Sequence, residues 1–382
     1  MNSITYQQAL PFPDRPTVHY NTLGQVPELS GSSNPTLEVI ADLYHFRANN
    51  YYTRLINWLD PDDPLRRMIV PHEGEQAEWG KADPSDEASI TVARGVQHKY
   101  RDTALLLCSD VCAAYCRYCF RKRIFKDDNQ EVSIDIAHGV EYIRNHPEIT
   151  DVLLSGGDPL MLSTRRLTEI LGSLRSIAHV QTIRIGSKLP AFNPWRILDD
   201  AELLTTLSRY STASAPIYVM AHFDHPRELT DPALACIDRL THSGVRCVNQ
   251  CPIIRGINDD AVILAELFSL TARAGCPQYY VFQCRPTFGN QPYTLPLVQS
   301  YKLFQNATRV NGGLARTSRF IISHTSGKVE IVGIDEELIY ARYHRAKNSA
   351  DEGRILLYHR DDEACWLDDL VFCGQSHLGR KC

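Results

Sequence analysis

The sequence predicts an α/β fold organised as a partial, TIM-like (β/α)6 barrel. Short apolar runs alternate with longer amphipathic stretches between residue 103 and about residue 310, which is typical of strands and helices in turn. Six such units follow one another, and strands joined by helical crossovers must run parallel. The chain has 382 residues, of which 43% are hydrophobic, so it is long enough to bury one large core.

Each predicted unit consists of a strand followed by a helix. The strands are assigned to the apolar runs 103–108, 151–155, 181–185, 216–221, 245–249 and 279–284. The helices are assigned to the amphipathic stretches 134–144, 164–174, 200–208, 232–242, 260–274 and 297–309. In parallel α/β folds, ligands bind at the carboxyl ends of the strands. Functional side chains are therefore expected directly after these runs.

Two flanking regions complete the predicted organisation around a core at residues 96–315. Residues 1–95 are expected to form an N-terminal extension, irregular at first, then helical and then loop-like, with a turn cluster at 60–64. Residues 316–382 are expected to form a small β-rich appendix, because short strand patterns occur at 319–323, 329–332, 338–343 and 354–358.

The composition limits the kinds of partner and compartment. The net charge of −5 provides no basic field for nucleic acid, and no apolar run reaches the length of a membrane span. The first residues lack the charged and apolar regions of a signal peptide, and twelve cysteines fit a reducing compartment. We expect a cytoplasmic protein with a small-molecule partner, and no nucleic-acid or membrane partner.

The most informative motif contains Cys112, Cys116 and Cys119, and it directly follows the first predicted strand. It supplies three thiolates from one short loop, whereas iron–sulfur clusters normally take four. A [4Fe–4S] cluster on three cysteines leaves one iron free to bind another molecule, as a catalytic zinc keeps an open position. Three ordinary cysteines or a zinc knuckle are the alternatives, but no second ligand pair lies nearby. Cys108 is assigned to the buried strand.

Polar groups also follow other predicted strands. The second strand leads into Ser155-Gly156-Gly157-Asp158, in which the glycines allow a close backbone approach and a carboxylate follows. His222 follows the fourth strand and Gln250 follows the fifth. We expect His222 and Gln250 to contact a cofactor and the neighbouring His225 to be structural.

The cysteine spacing and the order of the motifs resemble the lysine 2,3-aminomutase family of pyridoxal phosphate (PLP)-dependent radical S-adenosylmethionine (SAM) enzymes. The resemblance extends from about residue 45 to residue 335, over motifs at 61–67, 98–102, 112–123, 154–160, 184–187, 222–230, 249–259 and 279–284. It implies a radical SAM barrel and an isomerase that moves the α-amino group of an L-amino acid to Cβ.

The resemblance also implies how the iron–sulfur cluster and SAM are bound. Cys112, Cys116 and Cys119 would hold the [4Fe–4S] cluster, whose open iron would bind SAM. An electron from a donor such as flavodoxin or ferredoxin would cleave SAM to a 5′-deoxyadenosyl radical. The implied SAM contacts are Ser155, Gly156, Gly157, Asp158, Ser187, His222 and Gln250.

For PLP, the resemblance implies a Schiff base on Lys328, within the C-terminal region, with Lys99 and Tyr100 beside the cofactor. The sequence departs from the family here. The glycine run before the lysine is reduced to Ser326-Gly327, the proline two residues after it is Glu330, and Thr103 stands where an arginine that helps with the phosphate is expected.

For the substrate, the resemblance implies that Arg121 binds the α-carboxylate, which suits a planar guanidinium that makes two parallel hydrogen bonds. The lysine enzymes hold the distal ammonium with two carboxylates, and the matching positions here are Arg285 and Ser323. A lysine ammonium would then face a buried cation, which is unfavourable. The predicted substrate is an L-amino acid with an acidic or neutral polar side chain, not lysine.

Two alternatives stay open. The reduced glycine run and Thr103 favour a PLP-independent radical SAM enzyme that abstracts hydrogen in an epimerisation or another modification of an amino-acid-derived metabolite. A non-catalytic iron–sulfur sensor is the other alternative, but a sensor has no need of the cofactor and substrate groups named above.

We also expect a homo-oligomer. A structural metal on Cys365, Cys373 and Cys382 is a minority hypothesis, because their spacing is long and irregular.

Overall fold

The computed structural model describes residues 17–31, 34–126, 129–133 and 135–374. The strands are β1 His19–Tyr20, β2 Ala48–Asn49, β3 Thr91–Ala93, β4 Val96–Tyr100, β5 Thr103–Ser109, β6 Asp151–Gly156, β7 Thr182–Ser187, β8 Ile217–Ala221, β9 Arg246–Ile253, β10 Gln278–Gln283, β11 Arg319–His324, β12 Gly327–Ile334, β13 Leu338–Ala346, β14 Ile355–His359 and β15 Phe372–Gly374. The helices are α1 Pro35–Leu43, α2 Asn50–Thr53, α3 Pro64–Ile69, α4 Ala137–Arg144, α5 Thr164–Arg175, α6 Leu189–Phe192, α7 Trp195–Leu198, α8 Ala201–Tyr210, α9 Asp231–His242, α10 Ala261–Arg273 and α11 Leu297–Arg309.

One long sheet contains β3 to β15 in the order of the chain. Neighbouring strands from β5 to β11 pair in parallel, and at least one helix lies in each connection between them. This confirms the predicted α/β class with a partial barrel. The sheet is continuous across the predicted boundaries at residues 95/96 and 315/316. The three predicted regions therefore remain divisions of the sequence.

The strand at residues 319–323 was expected in the appendix, and that assignment is wrong. In the structure, β11 pairs in parallel with β10, with Val281 opposite Phe320. The preceding helix α11 supplies the long crossover that a parallel return requires. The array of parallel strands therefore has one more member than the six predicted, and the antiparallel appendix begins at β12.

The side chains of the parallel strands divide between two faces of the sheet. In β7, Ile183 and Ile185 are fully buried, whereas Arg184 and Gly186 line a cavity. The same alternation in β6 buries Val152 and Leu154 and leaves Leu153 and Ser155 at the cavity. This follows from the period of two along a strand. One face packs on the helices, and each fully buried aliphatic side chain there contributes about 1.5–3 kcal/mol.

The N-terminal extension is mostly irregular, with short helices. In the predicted turn cluster at 60–64, the Asp63 carboxylate accepts hydrogen bonds from the backbone N–H groups of Leu65 and Arg66, which caps α3. Asp63 also forms an ion pair of 2.6 Å with Arg227, beyond the end of β8. The extension is therefore fastened to the carboxyl side of the barrel.

The appendix continues the same sheet with antiparallel strands β12 to β15. A tight turn joins β11 to β12, and it ends at Gly327, whose φ is +153°. A Cβ at this position would lie 2.2 Å from the carbonyl oxygen of Arg345. Only glycine lets β12 approach β13 this closely.

Candidate functional site

A cavity of about 350 Å³ opens at the inner face and carboxyl ends of the parallel strands, within the size range of small-molecule sites. The residues that line it include all three cysteines of the motif and groups from the appendix. Its charged lining is strongly basic. Two carboxylates, Glu87 and Asp158, are accompanied by Lys99, Arg121, Arg184, Lys188, Arg285, Lys328 and Arg345. A cavity with this balance favours an anionic ligand.

The cysteine loop follows β5 and is held by the N-terminal extension. The backbone N–H of Tyr115 donates to the carbonyl of Arg47 at 2.9 Å, and that of Arg117 donates to the carbonyl of Met68 at 2.8 Å. The Asn49 side-chain amide donates to the carbonyl of Ala113 at 3.1 Å. These bonds fix the loop without using the thiols, so the cysteines remain at the cavity.

A buried ion pair supports the loop from behind. Arg117 lies between two of the motif cysteines and donates to both oxygens of Glu75, at 3.1 and 2.8 Å. Both side chains are almost completely buried, with exposures of 2% and 0%. Tyr293 donates a further hydrogen bond to Glu75 at 2.8 Å. Sequence analysis missed this support, because Glu75 lies in an aperiodic segment.

The three cysteines of the motif line one cavity, as the ligands of one iron–sulfur cluster must. Among the residues that the structure describes, no group of three or more His, Cys, Asp or Glu side chains is arranged to hold one metal ion. In a [4Fe–4S] cube each thiolate binds a different iron, so the sulfurs need not converge on one point. Burial raises the pKa of the Cys112 and Cys116 thiols, and positively charged iron would offset that cost of ionisation. The residues fit the cluster.

The two glycines at the end of β6 line the cavity and also lie close to the backbone of the protein itself. Gly156 has a φ of +116°, and a Cβ there would lie 2.2 Å from the carbonyl oxygen of Ser109. A Cβ on Gly157 would lie 2.6 Å from both the backbone nitrogen and oxygen of Val111. The close approach in this structure is therefore between the glycines and the start of the cysteine loop.

Asp158 is occupied by donors of the protein. Its carboxylate accepts from the hydroxyl of Ser187 at 2.9 Å and from the backbone N–H groups of Lys188, Leu189 and Leu160 at 2.9 to 3.0 Å. Burial raises its pKa to about 6. Asp158 and Ser187 thus tie the end of β6 to the end of β7, and both still line the cavity.

His222 and Gln250 lie side by side at the cavity, as adjacent strand ends predict. The two Nε2 atoms are 2.6 Å apart. Burial lowers the pKa of His222 to about 4, so the ring is neutral and its unprotonated Nε2 accepts from the Gln250 amide. His225 has a different role, because its Nδ1 accepts from the backbone N–H of Arg227 and caps a short helical turn.

Arg121 is paired with a carboxylate that the sequence analysis did not identify. It donates to Glu87 through Nε and Nη2, with a shortest distance of 2.7 Å, and its Nη1 donates to the hydroxyl of Ser155 at 2.9 Å. Arg123 donates to the same carboxylate at 2.6 Å. Burial alone would raise the pKa of Glu87, but these arginines lower it to about 2. Arg123 also pairs with Glu131 at 2.7 Å, so Glu87 is held between two guanidinium groups and Arg121 has Glu87 as its carboxylate partner.

Arg285 lies at the end of β10, with its guanidinium carbon 3.5 Å from the centre of the Phe120 ring. The Arg121 guanidinium lies against the same ring at 4.7 Å. Arg285 donates to the hydroxyl of Ser85 at 2.8 Å, and in the described part of the chain no carboxylate lies within ion-pair distance of it. Burial lowers its pKa to about 10, so it remains charged at neutral pH.

Lys328 and Ser323 face each other across β11 and β12, and the lysine Nζ donates to the serine hydroxyl at 2.7 Å. The Nζ atom is 4.6 Å from the centre of the Phe282 ring. Burial, with Arg285 and Lys99 nearby, holds the pKa of Lys328 well below its usual value. A neutral amine is the form that attacks an aldehyde. The residue therefore fits PLP.

Lys99 and Tyr100 lie at the same end of the cavity as Lys328. The Lys99 Nζ donates to the carbonyl of His324 at 2.5 Å. Burial, with Arg285 nearby, lowers the pKa of Lys99 to about 8.

The three C-terminal cysteines lie apart from this group. Cys365 and Cys373 are partly exposed, with Cys373 in β15, and Cys382 lies outside the described residues.

Comparisons with known proteins find similarity to a protein family over most of the chain. A family model described as the radical SAM superfamily matches residues 106–268. A protein of Aquifex aeolicus (strain VF5) named "Putative L-lysine 2,3-aminomutase" is 46% identical over 90% of this chain and 92% of its own. The L-lysine 2,3-aminomutase of Acetoanaerobium sticklandii is 30% identical over 86% of this chain and 78% of its own. The glutamate 2,3-aminomutase of Clostridioides difficile is 28% identical over 77% of this chain and 69% of its own.

A search of the described residues finds no helix that is both long enough and apolar enough to cross a membrane.

Proposed function

Since the chain belongs to the lysine 2,3-aminomutase family of radical SAM enzymes, we propose that it is a PLP-dependent 2,3-aminomutase for an L-amino acid with an acidic or neutral polar side chain. Family membership makes it an isomerase of the radical SAM type, with a [4Fe–4S] cluster, SAM, a reductant and a small-molecule substrate. PLP dependence, the substrate class and the roles of individual residues are our proposals.

The observation that best supports PLP dependence is the burial of the Lys328 amine among basic groups at the cavity. Its amine is buried at the cavity, lies among basic groups and has a pKa far below the usual value. When bound, PLP would supply a conjugated π system beside the reacting carbon and nitrogen. The protein's own part is to favour the unprotonated form of the Lys328 amine, to direct the amine through the Ser323 hydroxyl, and to exclude water from the cavity.

The cluster and SAM would occupy the opposite part of the cavity. Cys112, Cys116 and Cys119 would hold the cluster, which supplies one-electron chemistry when reduced. The neutral His222 and Gln250 pair offers a polar edge for SAM without adding a charge. We propose that Gly156, Gly157 and Asp158 act on SAM by positioning the cysteine loop and the end of β7, with Ser155 and Ser187 at the cavity surface.

The substrate proposal rests on two guanidinium groups that lie against one aromatic ring. Arg121 would bind the α-carboxylate, and Arg285, against the same Phe120 ring, would face the side chain. A carboxylate or amide oxygen can accept hydrogen bonds from Arg285, whereas an ammonium group would be buried next to a cation. A relative that is named as a glutamate 2,3-aminomutase agrees with this class of substrate.

Borohydride reduction tests PLP dependence most directly. The full chain, supplied with PLP, should carry a pyridoxyl group on Lys328 after reduction and peptide mapping. Lys328→Arg keeps a cation but cannot be labelled, and Lys99→Arg is the matched control for a second lysine at the same end of the cavity. Labelling on Lys99 alone would reject Lys328 as the PLP lysine, and no labelling in the native chain would reject PLP dependence.

A second candidate function is a PLP-independent radical SAM reaction, which Thr103 favours because it offers no charge to a phosphate. Such an enzyme would cleave SAM at an undiminished rate in the absence of PLP. SAM cleavage that depends on added PLP, measured as 5′-deoxyadenosine under reducing conditions, would exclude this candidate.

A further inference from the structure

Arg345 is a basic residue of the cavity that no sequence motif identified. It lies on β13, within the appendix, yet it lines the cavity together with residues of β4 and β5. Its side chain is 24% exposed. Arg345 thus places a positive charge at the cavity from a strand that does not belong to the parallel array.

The contacts of Arg345 bring it to Thr103. Its Nη1 donates to the Thr103 hydroxyl at 3.1 Å, although 242 positions separate the two residues. The guanidinium carbon lies 4.4 Å from the centre of the Tyr100 ring, and Nη2 is bonded to the Asp102 carboxylate. A positive charge therefore stands beside Thr103, contributed by a distant strand.

Arg345 is also in register with Lys328. The two residues are directly opposite in the antiparallel pair of β12 and β13, so their side chains leave the same face of the sheet. Gly327 makes this approach possible, because any side chain there would collide with the backbone of Arg345. The backbone thus fixes the relation between the buried amine and this guanidinium.

The surrounding charges leave this end of the cavity short of anions. Lys99, Arg184 and Arg345 line the cavity and lie close enough to Lys328 to act on its charge. Arg184 is paired with Asp151 at 2.8 Å and Arg345 with the largely exposed Asp102, but among the described residues Lys99 has no carboxylate partner and donates to a carbonyl oxygen. Clustered cations at a partly buried site are costly unless an anion joins them. A phosphate group, with several acceptor oxygens, matches such donors.

We propose that Arg345, together with Lys99 and Arg184, binds the phosphate of PLP, and that Arg345 takes the place of a cation at position 103. This inference rests on the proposed PLP dependence. It adds a second cofactor-binding strand to the C-terminal appendix, since β13 with Arg345 would complete a site to which β12 already contributes Lys328.

The test compares PLP with pyridoxal, which lacks the phosphate, by equilibrium dialysis against the full chain with its cluster. Arg345→Gln should weaken PLP binding by roughly tenfold to a hundredfold and leave pyridoxal binding unchanged. The double variant Thr103→Arg/Arg345→Gln should regain most of the lost PLP affinity. Asp102→Asn, which removes the ion-pair partner but keeps the guanidinium, should bind PLP at least as well as the native chain.

Each contrary result has its own meaning. If Arg345→Gln weakens PLP and pyridoxal equally, or if Asp102→Asn reproduces its effect, Arg345 acts only through the local fold and the phosphate role is rejected. If the native chain binds neither compound, the proposed PLP dependence fails, and the phosphate role fails with it. If the native chain binds PLP and Arg345→Gln binds it equally well, the phosphate role of Arg345 is rejected and the proposed PLP dependence is not.

Discussion

At the scale of single residues, the cavity is organised by charges that are buried and only partly compensated. Glu87 is shared by Arg121 and Arg123, while Arg285 lies on Phe120 without a carboxylate partner in the described part of the chain. A buried charge without a partner discriminates between ligands more strongly than a surface charge does. Arg285 is therefore the residue from which we predict specificity.

Arg285→Asp should reverse the order of substrates. The native chain should prefer glutamate or glutamine over lysine, and the variant should lose activity on glutamate by roughly 100-fold or more in kcat/KM. Lysine should gain relative to glutamate, because an ammonium group would then face a carboxylate. Arg285→Lys, which keeps the charge, is the control and should keep the native order. An unchanged order in Arg285→Asp would show that this residue does not face the substrate side chain.

The low pKa of Lys328 predicts an unusual pH dependence for its reaction with PLP. An amine with a pKa near 10.5 loses about tenfold of its reactive form per pH unit below that value. The pKa of Lys328 is well below 10.5, since burial and neighbouring cations disfavour the protonated form. The rate of borohydride-trapped labelling should thus fall by clearly less than 100-fold from pH 9 to pH 7. A fall of about 100-fold over that range would mean that the amine titrates as an ordinary lysine.

The sequence predicts a functional residue only where that residue lies next to a recognisable strand pattern. The cysteines and His222 follow strands, and Gln250 lies in the carboxyl-terminal half of β9, so a strand pattern alone predicts that they meet. Glu87 lies in an aperiodic segment, and Arg345 lies on a strand expected outside the core. Their contacts join residues 34 and 242 positions apart, which no local pattern reveals.

At the scale of elements, the strands and helices of the core follow from periodicity, whereas their pairing does not. The apolar run at 319–323 has the composition of any buried strand. Its parallel pairing with β10 depends on the crossover through α11. The segment after β6 gives a second example, because its glycines predict a close approach but not the partner, which is the cysteine loop.

Gly157→Ala tests that contact. The new Cβ would meet backbone atoms of Val111 at 2.6 Å, so the cysteine loop would have to move. A displacement of about 1 Å at a reacting centre costs about 100-fold in rate. We expect SAM cleavage to fall by at least tenfold and bound iron to decrease, with little change in helix content. Gly333→Ala, where the nearest atom is 3.9 Å away, should leave both at the native level. Native iron content and SAM cleavage in Gly157→Ala would show that the loop tolerates the change.

At the scale of the whole molecule, the cavity is built from regions that the sequence analysis treated as separate. The N-terminal extension holds the cysteine loop through Arg47, Asn49 and Glu75, the barrel supplies the strand ends, and the appendix supplies Lys328 and Arg345. The continuous sheet joins all three regions. The chain is therefore expected to lose the site if either flanking region is removed.

The central claim is that this chain is a PLP-dependent 2,3-aminomutase for an acidic or neutral polar amino acid. The most direct measurement is an anaerobic incubation of the full chain with SAM, PLP, reductant and equal concentrations of glutamate, glutamine and lysine, with the β-amino acids separated and quantified. We predict that the β-isomer of glutamate or glutamine forms at least about tenfold faster than β-lysine, and that none forms without PLP or after Cys116→Ala. Predominant formation of β-lysine, or SAM cleavage with no β-amino acid from any of the three, would contradict the claim.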